Sequence, residues 1–388
     1  MNYLVISPYY PQNFQQFTIE LANKGITVLG IGQEPYEQLD EPLRNSLTEY
    51  FRVENMEDLD EVKRAVAFLF YKHGPIDRIE SHNEYWLELD AALREQFNVF
   101  GAKPKDLKKT KFKSEMKKLF KKVGVPVVPG AVVKTEKDID KAVKKIGLPL
   151  IAKPDNGVGA AATFKLETPE DVDHFKAEWD GHTEYFFEKF VTSSEICTFD
   201  GLVDRDGNIV FSTTFDYAYT PLDLMLYKMD NSYYVLKEMD PKLRQYGEAI
   251  VKAFGMKERF FHIEFFRDGD DYIAIEYNNR PAGGFTIDVY NYAHSIDLYR
   301  GYAAIVAGEP FPASEFEPLY CLATSRRANA TYVLSEEEVL AKYRDQFRVK
   351  KDMPAAFAEL QGDYLYMLTT PSREELEQMI HDFGQRQS

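Results

Sequence analysis

The sequence predicts a mixed α/β and α+β fold: an open α/β unit, then a region built around a long hairpin, then a small C-terminal β/α segment. Two observations carry this. Toward the N-terminus, short apolar runs alternate with amphipathic helical ones, the pattern of a parallel sheet with crossover helices. In Phe260–Gly284, two β-rich runs flank Arg267–Asp271, whose Asp-Gly-Asp-Asp core is turn chemistry.

Taken in order, Asn2–Ser7 reads as a buried strand. Asn13–Lys24 reads as a helix with Phe14, Phe17, Ile19 and Leu21 on its face and Gly25 placed to stop it. Ile26–Ile31 and Ile76–Ser81 are strands, Glu57–Lys72 and Glu84–Phe97 helices, and Asn83 suits an N-cap. Ser7–Gln12 is not a G-x-G-x-x-G loop, so this unit should supply substrate contacts from the carboxyl ends of its strands rather than a nucleotide site.

Asp106–Lys122 predicts one strongly basic helix, and Pro126–Gly130 an extended connector. A strand at Ala131–Val133, a helix at Glu136–Ile146 and the strand Leu148–Lys153 follow. Pro154–Thr163 is rich in small residues, which let backbone N–H groups close over phosphate oxygens; a plain hairpin turn is the alternative. Thr168–Trp179 is helical, Glu184–Phe190 and Ile196–Leu202 are strands, and Ile209–Tyr219 continues a sheet. Thr220–Tyr234 lacks periodicity and reads as a loop over the site. Asp240–Phe254 is a helix stopped by Gly255, and Tyr290–Ala307 reads as a single helix. After Phe311–Pro318 come strands near Tyr320–Ser325 and Tyr364–Thr369, with helices at Glu336–Arg344 and Ser372–Phe383.

The chemistry concentrates in the hairpin. Side chains alternate between faces along a strand. The odd positions Ile263, Phe265, Ile273 and Ile275 are apolar and suit a core; the even positions include His262, Glu264, Glu276 and Asn278. A loop of odd length would put the even positions of both strands on one face. Two carboxylates and an amide then point together, and they repel unless a cation lies between them. Such oxygen ligands suit Mg²⁺, which completes its shell with water and phosphate oxygens. A solvated sheet face is the alternative. The tail Asn278–Gly284 adds Arg280 and flexible backbone N–H groups, both suited to anionic oxygens.

Composition narrows the partners. Net charge is -16 over 388 residues, a field that repels nucleic acid and acidic membranes. The two cysteines, Cys197 and Cys321, form no disulfide framework, and a reducing compartment fits. No apolar run approaches the roughly 18 residues that span a bilayer, and the first residues lack the basic region of a signal peptide, so the cytoplasm is expected.

With these pieces in order, the chain resembles the ATP-grasp superfamily of carboxylate–amine ligases, in particular stand-alone proteins like the large subunit of carbamoyl phosphate synthetase. The similarity runs from the start to about Ala307. It rests on Lys111 before the connector, Lys153 in LIAKPDNGVG, the acidic hinge Glu188 to Glu195, and HIEFF with IEYNNRP. The resemblance implies an N-terminal domain over 1–105, a nucleotide-binding region over 106–307 with a lid at about 125–190, and a segment over 308–388 that completes it.

It further implies that Lys111 and Lys153 contact ATP phosphates, with Lys108, Lys109 or Lys113 as alternatives to Lys111. Asn156, Gly157 and Gly159 would form the flap over the phosphates, although Ala160–Ala162 stand where the family has more Gly and Ser. Glu188, Lys189, Phe190 and Val191 would line the adenine pocket, and Glu195 would hold the ribose. Glu264, Glu276 and Asn278 would bind Mg²⁺, or Mn²⁺ in its place. Arg280 and Lys153 are the catalytic candidates. The implied activity is ATP-dependent activation of a small carboxylate, an amino acid being the first choice, as an acyl phosphate for attack by an amine. A non-catalytic ATP-binding module and a bicarbonate- or carbamate-activating enzyme are the alternatives. A homodimer is expected only as the commonest soluble assembly.

Overall fold

The structure is a computed structural model and describes residues 1–156, 162–192, 195–219, 229–354, 358 and 361–387. Its strands form three sheets. The first is parallel, in the order Glu49–Arg52, Thr27–Gly32, Asn2–Ile6, Arg78–Glu80. Tyr3, Leu4 and Ile6 are fully buried, as strands covered by helices on both faces require. The helix Glu41–Ser46 and the edge strand Glu49–Arg52 were not expected. That strand is short and nowhere fully buried, so no apolar run marks it.

The second, nine-stranded sheet starts at Asp271–Asn278 and runs through Arg259–Asp268, Ile196–Val203, Phe215–Tyr217, Ser232–Val235, Tyr320–Arg326 and Tyr364–Thr370 to Phe347–Asp352. Ile209–Thr213 also pairs with Ile196–Val203. The third sheet is small, with Tyr185–Lys189 between Gly130–Val133 and Leu150–Pro154 and with Phe164–Leu166 at the edge. Among the described residues no helix is long and apolar enough to cross a membrane.

Several expectations need correction. Asp106–Lys122 is two helices, Pro104–Lys111 and Lys113–Lys122, because Phe112 is extended (φ -90°, ψ 117°). Tyr290–Ala307 is likewise two, Thr286–His294 and Leu298–Val306, separated at the left-handed Ser295 (φ 50°). Ile209–Tyr219 splits into Ile209–Thr213 and Phe215–Tyr217. Ser232–Val235 is a strand where a loop was expected, while residues 220–228 lie outside the described set.

The hairpin places Glu264 opposite Glu276 and His262 opposite Asn278, but not by the expected route. Its turn has two residues, with Asp268 paired to Asp271, a parity that would set odd positions against even ones. A bulge past Glu264 and Phe265 restores the match. The correction extends to the core. Ile263 and Phe265 are fully buried, but beyond the bulge Tyr272 and Ala274 go inward, and Ile273 and Ile275 are only half-buried. Helix Pro241–Phe254 covers the buried face through Leu243, Ile250 and Phe254, whose ring stacks 3.9 Å from Tyr277.

Two histidines sit in largely apolar surroundings, His82 buried and His294 half-buried. His82, at the end of Arg78–Glu80, stacks 4.2 Å from Phe17 and also meets Tyr302. Burial pulls His82 down from 6.5 to about 4, and His294 likewise to about 4. Between those values the unfolded chain binds protons that the folded one refuses, so stability rises with pH from 4 to 6.5 and is lost on acidification. Each such histidine adds a slope of up to about 1.4 kcal/mol per pH unit. We expect His82→Asn, a residue that tolerates the left-handed backbone there, to reduce the pH dependence of the urea midpoint over this window and leave the share of His294. An unchanged slope would remove His82 from the account.

Candidate nucleotide and metal site

Three segments bring charged side chains together. The hairpin contributes Glu264 and Glu276, the first turns of helix Lys113–Lys122 contribute Lys113 and Lys117, and the small sheet contributes Lys153 and Glu188. Lys113, buried, reaches Glu276 Oε1 at 3.4 Å. Lys117, also buried, lies 2.8 Å from Glu188 Oε1 and donates to the Ala274 carbonyl at 2.9 Å. Lys153 lies 3.5 Å from Glu188 Oε2. Burial opposes the Glu188 charge, but Lys117 and Lys153 hold its carboxyl below the usual range. Burial wins at Lys117, whose ammonium is pulled down despite Glu188.

Lys113 faces this cluster because the two basic helices break at Phe112. Phe112 bridges to Asn156, and the Lys113 N–H donates to the Asp155 carbonyl at 2.9 Å. The Asp155 carboxylate then accepts from the Ser114 N–H at 2.8 Å and from its hydroxyl at 2.7 Å. A carboxylate remote in sequence thus satisfies the orphan N–H at the start of the second helix. Lys111, the last residue before the break, instead pairs with Glu88 at 2.7 Å and is not brought to the cluster.

Behind Glu264 lies a buried relay. His262 Nδ1 sits 2.6 Å from Asp200 Oδ1, and Nε2 lies 3.5 Å from Glu264 Oε1. Tyr290 donates to Asp200 at 2.7 Å, and Tyr217 to Glu264 at 3.4 Å. Burial opposes charge on His262, but Asp200 and then Glu264 lift it to about 9, so the ring is cationic at neutral pH. Burial also opposes charge on Glu264, and His262, Arg280 and Lys153 outweigh it, keeping the carboxyl below its usual value.

This donor set fits a magnesium ion. Two ionisable carboxylates face each other across the hairpin, and the Asn278 amide lies one pleat along the same face. Their flanking cations, Lys113 and His262, show that the fold already compensates charge here. Among the described residues there is no group of three or more His, Cys, Asp or Glu suited to a metal. A site completed by phosphate oxygens does not need one.

The other predicted residues spread around this centre. Asn156 is exposed, and Gly157 and Gly159 lie outside the described residues. Lys189 turns its ammonium to the carbonyls of Gly147 (3.3 Å) and Leu148 (3.0 Å). The Phe190 N–H donates to the Pro149 carbonyl, its ring lies 4.5 Å from the Lys165 ammonium, and Val191 is half-buried. Glu195 pairs with Arg267 at 3.3 Å, further along the strand that carries Glu264, and is not brought to the cluster. Arg280 Nε donates to Glu84 at 2.6 Å, joining the hairpin's exit to the first sheet. Sequence reasoning missed Lys117, Asp155 and Asp200. Lys113 and Lys117 stand one helical turn apart, but so do other pairs in the same lysine-rich run.

If Lys113 and not Lys111 serves the phosphates, Lys113→Met should raise the KM for ATP by roughly tenfold or more, the loss of one charge-assisted contact. Lys111→Met should leave it nearly unchanged. Steady-state kinetics with ATP varied decides, and the reverse ranking would return Lys111 to the site.

Residues 146–288 match the ATP-grasp domain family. The L-arginine-specific L-amino acid ligase of Bacillus subtilis is 26% identical over 267 residues, covering 64% of this chain; the chain spans 64% of that relative's length. Among solved structures, an L-amino acid ligase from Bacillus licheniformis superposes with TM-score 0.70 at 15% identity, covering 98% of this chain and 97% of that one. The biotin carboxylase domain of Hydrogenobacter thermophilus 2-oxoglutarate carboxylase gives TM-score 0.71 at 17% identity, covering 99% and 90%. The chain thus has the ATP-grasp fold, and its residues 146–288 match the ATP-grasp domain family.

Proposed function

We propose that the protein is an ATP-dependent ligase that activates a small carboxylic acid, in first place an amino acid, as an acyl phosphate and passes the acyl group to an amine. The observation that carries this reading is the facing pair Glu264 and Glu276, ringed by Lys113, Lys153 and His262. Relatives named as L-amino acid ligases support an amino acid as the acid.

In the first step a carboxylate oxygen of the substrate attacks the γ-phosphorus, and the bond to the β–γ bridging oxygen breaks to release ADP. In the second, the amine attacks the acyl carbon and expels phosphate. Catalysis of this kind is mostly positioning and charge neutralisation. In this reading Lys113, Lys117 and Lys153 meet phosphate oxygens, and Arg280 meets the substrate carboxylate or the transferred group. Held by Glu264, Glu276 and Asn278, a magnesium ion supplies further neutralisation of phosphate charge when bound. The Asp200–His262 pair keeps Glu264 ionised and oriented.

The test is ADP release from Mg²⁺·ATP over a panel of amino acids and other carboxylates, with and without an amine. Release that requires both an acid and an amine is expected. ATP binding without turnover for every pairing would identify a binding module instead.

A further inference from the structure

We infer that the cleft between the first sheet and the loop after the hairpin holds the carboxylate-donating substrate as an amino acid zwitterion with a bulky apolar or aromatic side chain. This rests on the ligase reading above and extends it to one class of substrate.

The cleft measures about 490 Å³, in the range of small-molecule sites. It opens at the carboxyl ends of Asn2–Ile6 and Arg78–Glu80, where open α/β sheets place ligands. Just past the ends of both strands, Ser7 (φ 55°) and His82 (φ 57°) are left-handed without being glycine. Such backbone strain clusters at binding sites, and here two instances line one cleft.

Two features of the lining select the ligand. Its walls are largely aromatic and apolar: Tyr9, Tyr10, Phe14, Trp86, Phe285 and Met353. Among the described residues its only charged side chains are Glu84 and Arg280, hydrogen-bonded to each other. Arg280 directs Nε to Glu84 and Nη1 to the Pro281 carbonyl, while Nη2 has no hydrogen-bond partner among the described residues. Glu84 accepts from Arg280 through Oε2, which leaves Oε1. One guanidinium edge beside one carboxylate oxygen complements an α-carboxylate beside an α-ammonium. Holding the ammonium charged on Glu84 also keeps the donor's own nitrogen from acting as the nucleophile.

A basic side chain deep in the cleft would need a second carboxylate, and an acidic one a second cation; among the described residues the lining has neither. His82 does not change this, because burial keeps its ring neutral near pH 7. The cleft is therefore a poor match for arginine, the amino acid in the name of the Bacillus subtilis relative. Its inner end shares Gly283, Gly284, Phe285, Met353 and Gln361 with a smaller cavity of about 190 Å³. His262 and Tyr217, which contact Glu264, line that cavity, so the cleft leads from Arg280 toward the residues beside the metal acids.

The test uses the full chain with Mg²⁺·ATP, hydroxylamine as nucleophile and single L-amino acids as donors, reading ADP and hydroxamate. Phenylalanine, leucine and methionine are expected to exceed arginine, lysine, aspartate and serine in kcat/KM by about tenfold or more, the discrimination an apolar pocket supplies. Trp86→Ala should lower kcat/KM for phenylalanine about tenfold or more, leave alanine nearly unchanged, and keep the KM for ATP, which shows the fold intact. Glu84→Gln should weaken phenylalanine far more than 3-phenylpropanoate, which lacks the ammonium. Preference for arginine or aspartate, or equal rates for all donors, would overturn the inference and leave the ligase reading standing. No ADP from any acid would remove both.

Discussion

Glu276→Gln is expected to lower turnover on the order of 10²–10³-fold, the usual loss for one preorganised electrostatic contact, while the unfolding midpoint stays close to that of the parent. The substitution keeps shape and removes charge. Among the described residues Glu276 has one ion-pair partner, Lys113 at 3.4 Å, and its side chain is 23% exposed, so solvent shares in the pair and folding loses little. Glu264→Gln is a poorer probe, because Glu264 also faces the His262 imidazolium and the Tyr217 hydroxyl, and stability would fall with activity. Kinetics and urea unfolding on the same Glu276→Gln preparation separate the two effects. Full turnover would end the metal assignment.

That pair of acids was legible because a two-residue period is hard to hide: HIEFF and IEYNN alternate charge and bulk in a way only a half-buried strand does. The pairing came out correctly for an incorrect reason. Loop parity predicted it, whereas a two-residue turn and a bulge produce it, and the error surfaced at Ile273 and Ile275, which leave the core. The lysines were less legible. Between Lys103 and Lys122 nothing local marks Lys113 as different from Lys111. What separates them is Asp155, which ends one helix and starts the next from across the fold. The Glu84–Arg280 pair joins residues 196 apart, and no pattern in either segment points to the other.

Arg259→Leu is expected to cost about 3–5 kcal/mol of folding stability, as breaking one member of a buried charge cluster does. Arg259 is buried at the start of the strand that carries Glu264. Its Nη2 donates to Glu80 Oε1 at 2.7 Å and its Nε to the Asn279 carbonyl at 2.9 Å. Glu80 also accepts from Arg94 at 2.9 Å, and Asp90 lies 3.8 Å from Arg94, all four side chains being buried. Burial and the Glu80 charge lift Asp90 to about 7, while Arg259 and Arg94 hold Glu80 ionised at about 2. Removing Arg259 leaves two acids to one guanidinium and frees the backbone beside Asn278, so activity should fall along with stability. Adding Glu80→Gln restores the balance of one acid and one base. The double variant should therefore lose less than the sum of the two single losses, with a coupling of about 1 kcal/mol or more. Strict additivity in urea unfolding would mean that the first sheet and the hairpin are held by packing, with Phe17, Phe260 and Tyr302 carrying the contact and the buried charges incidental to it.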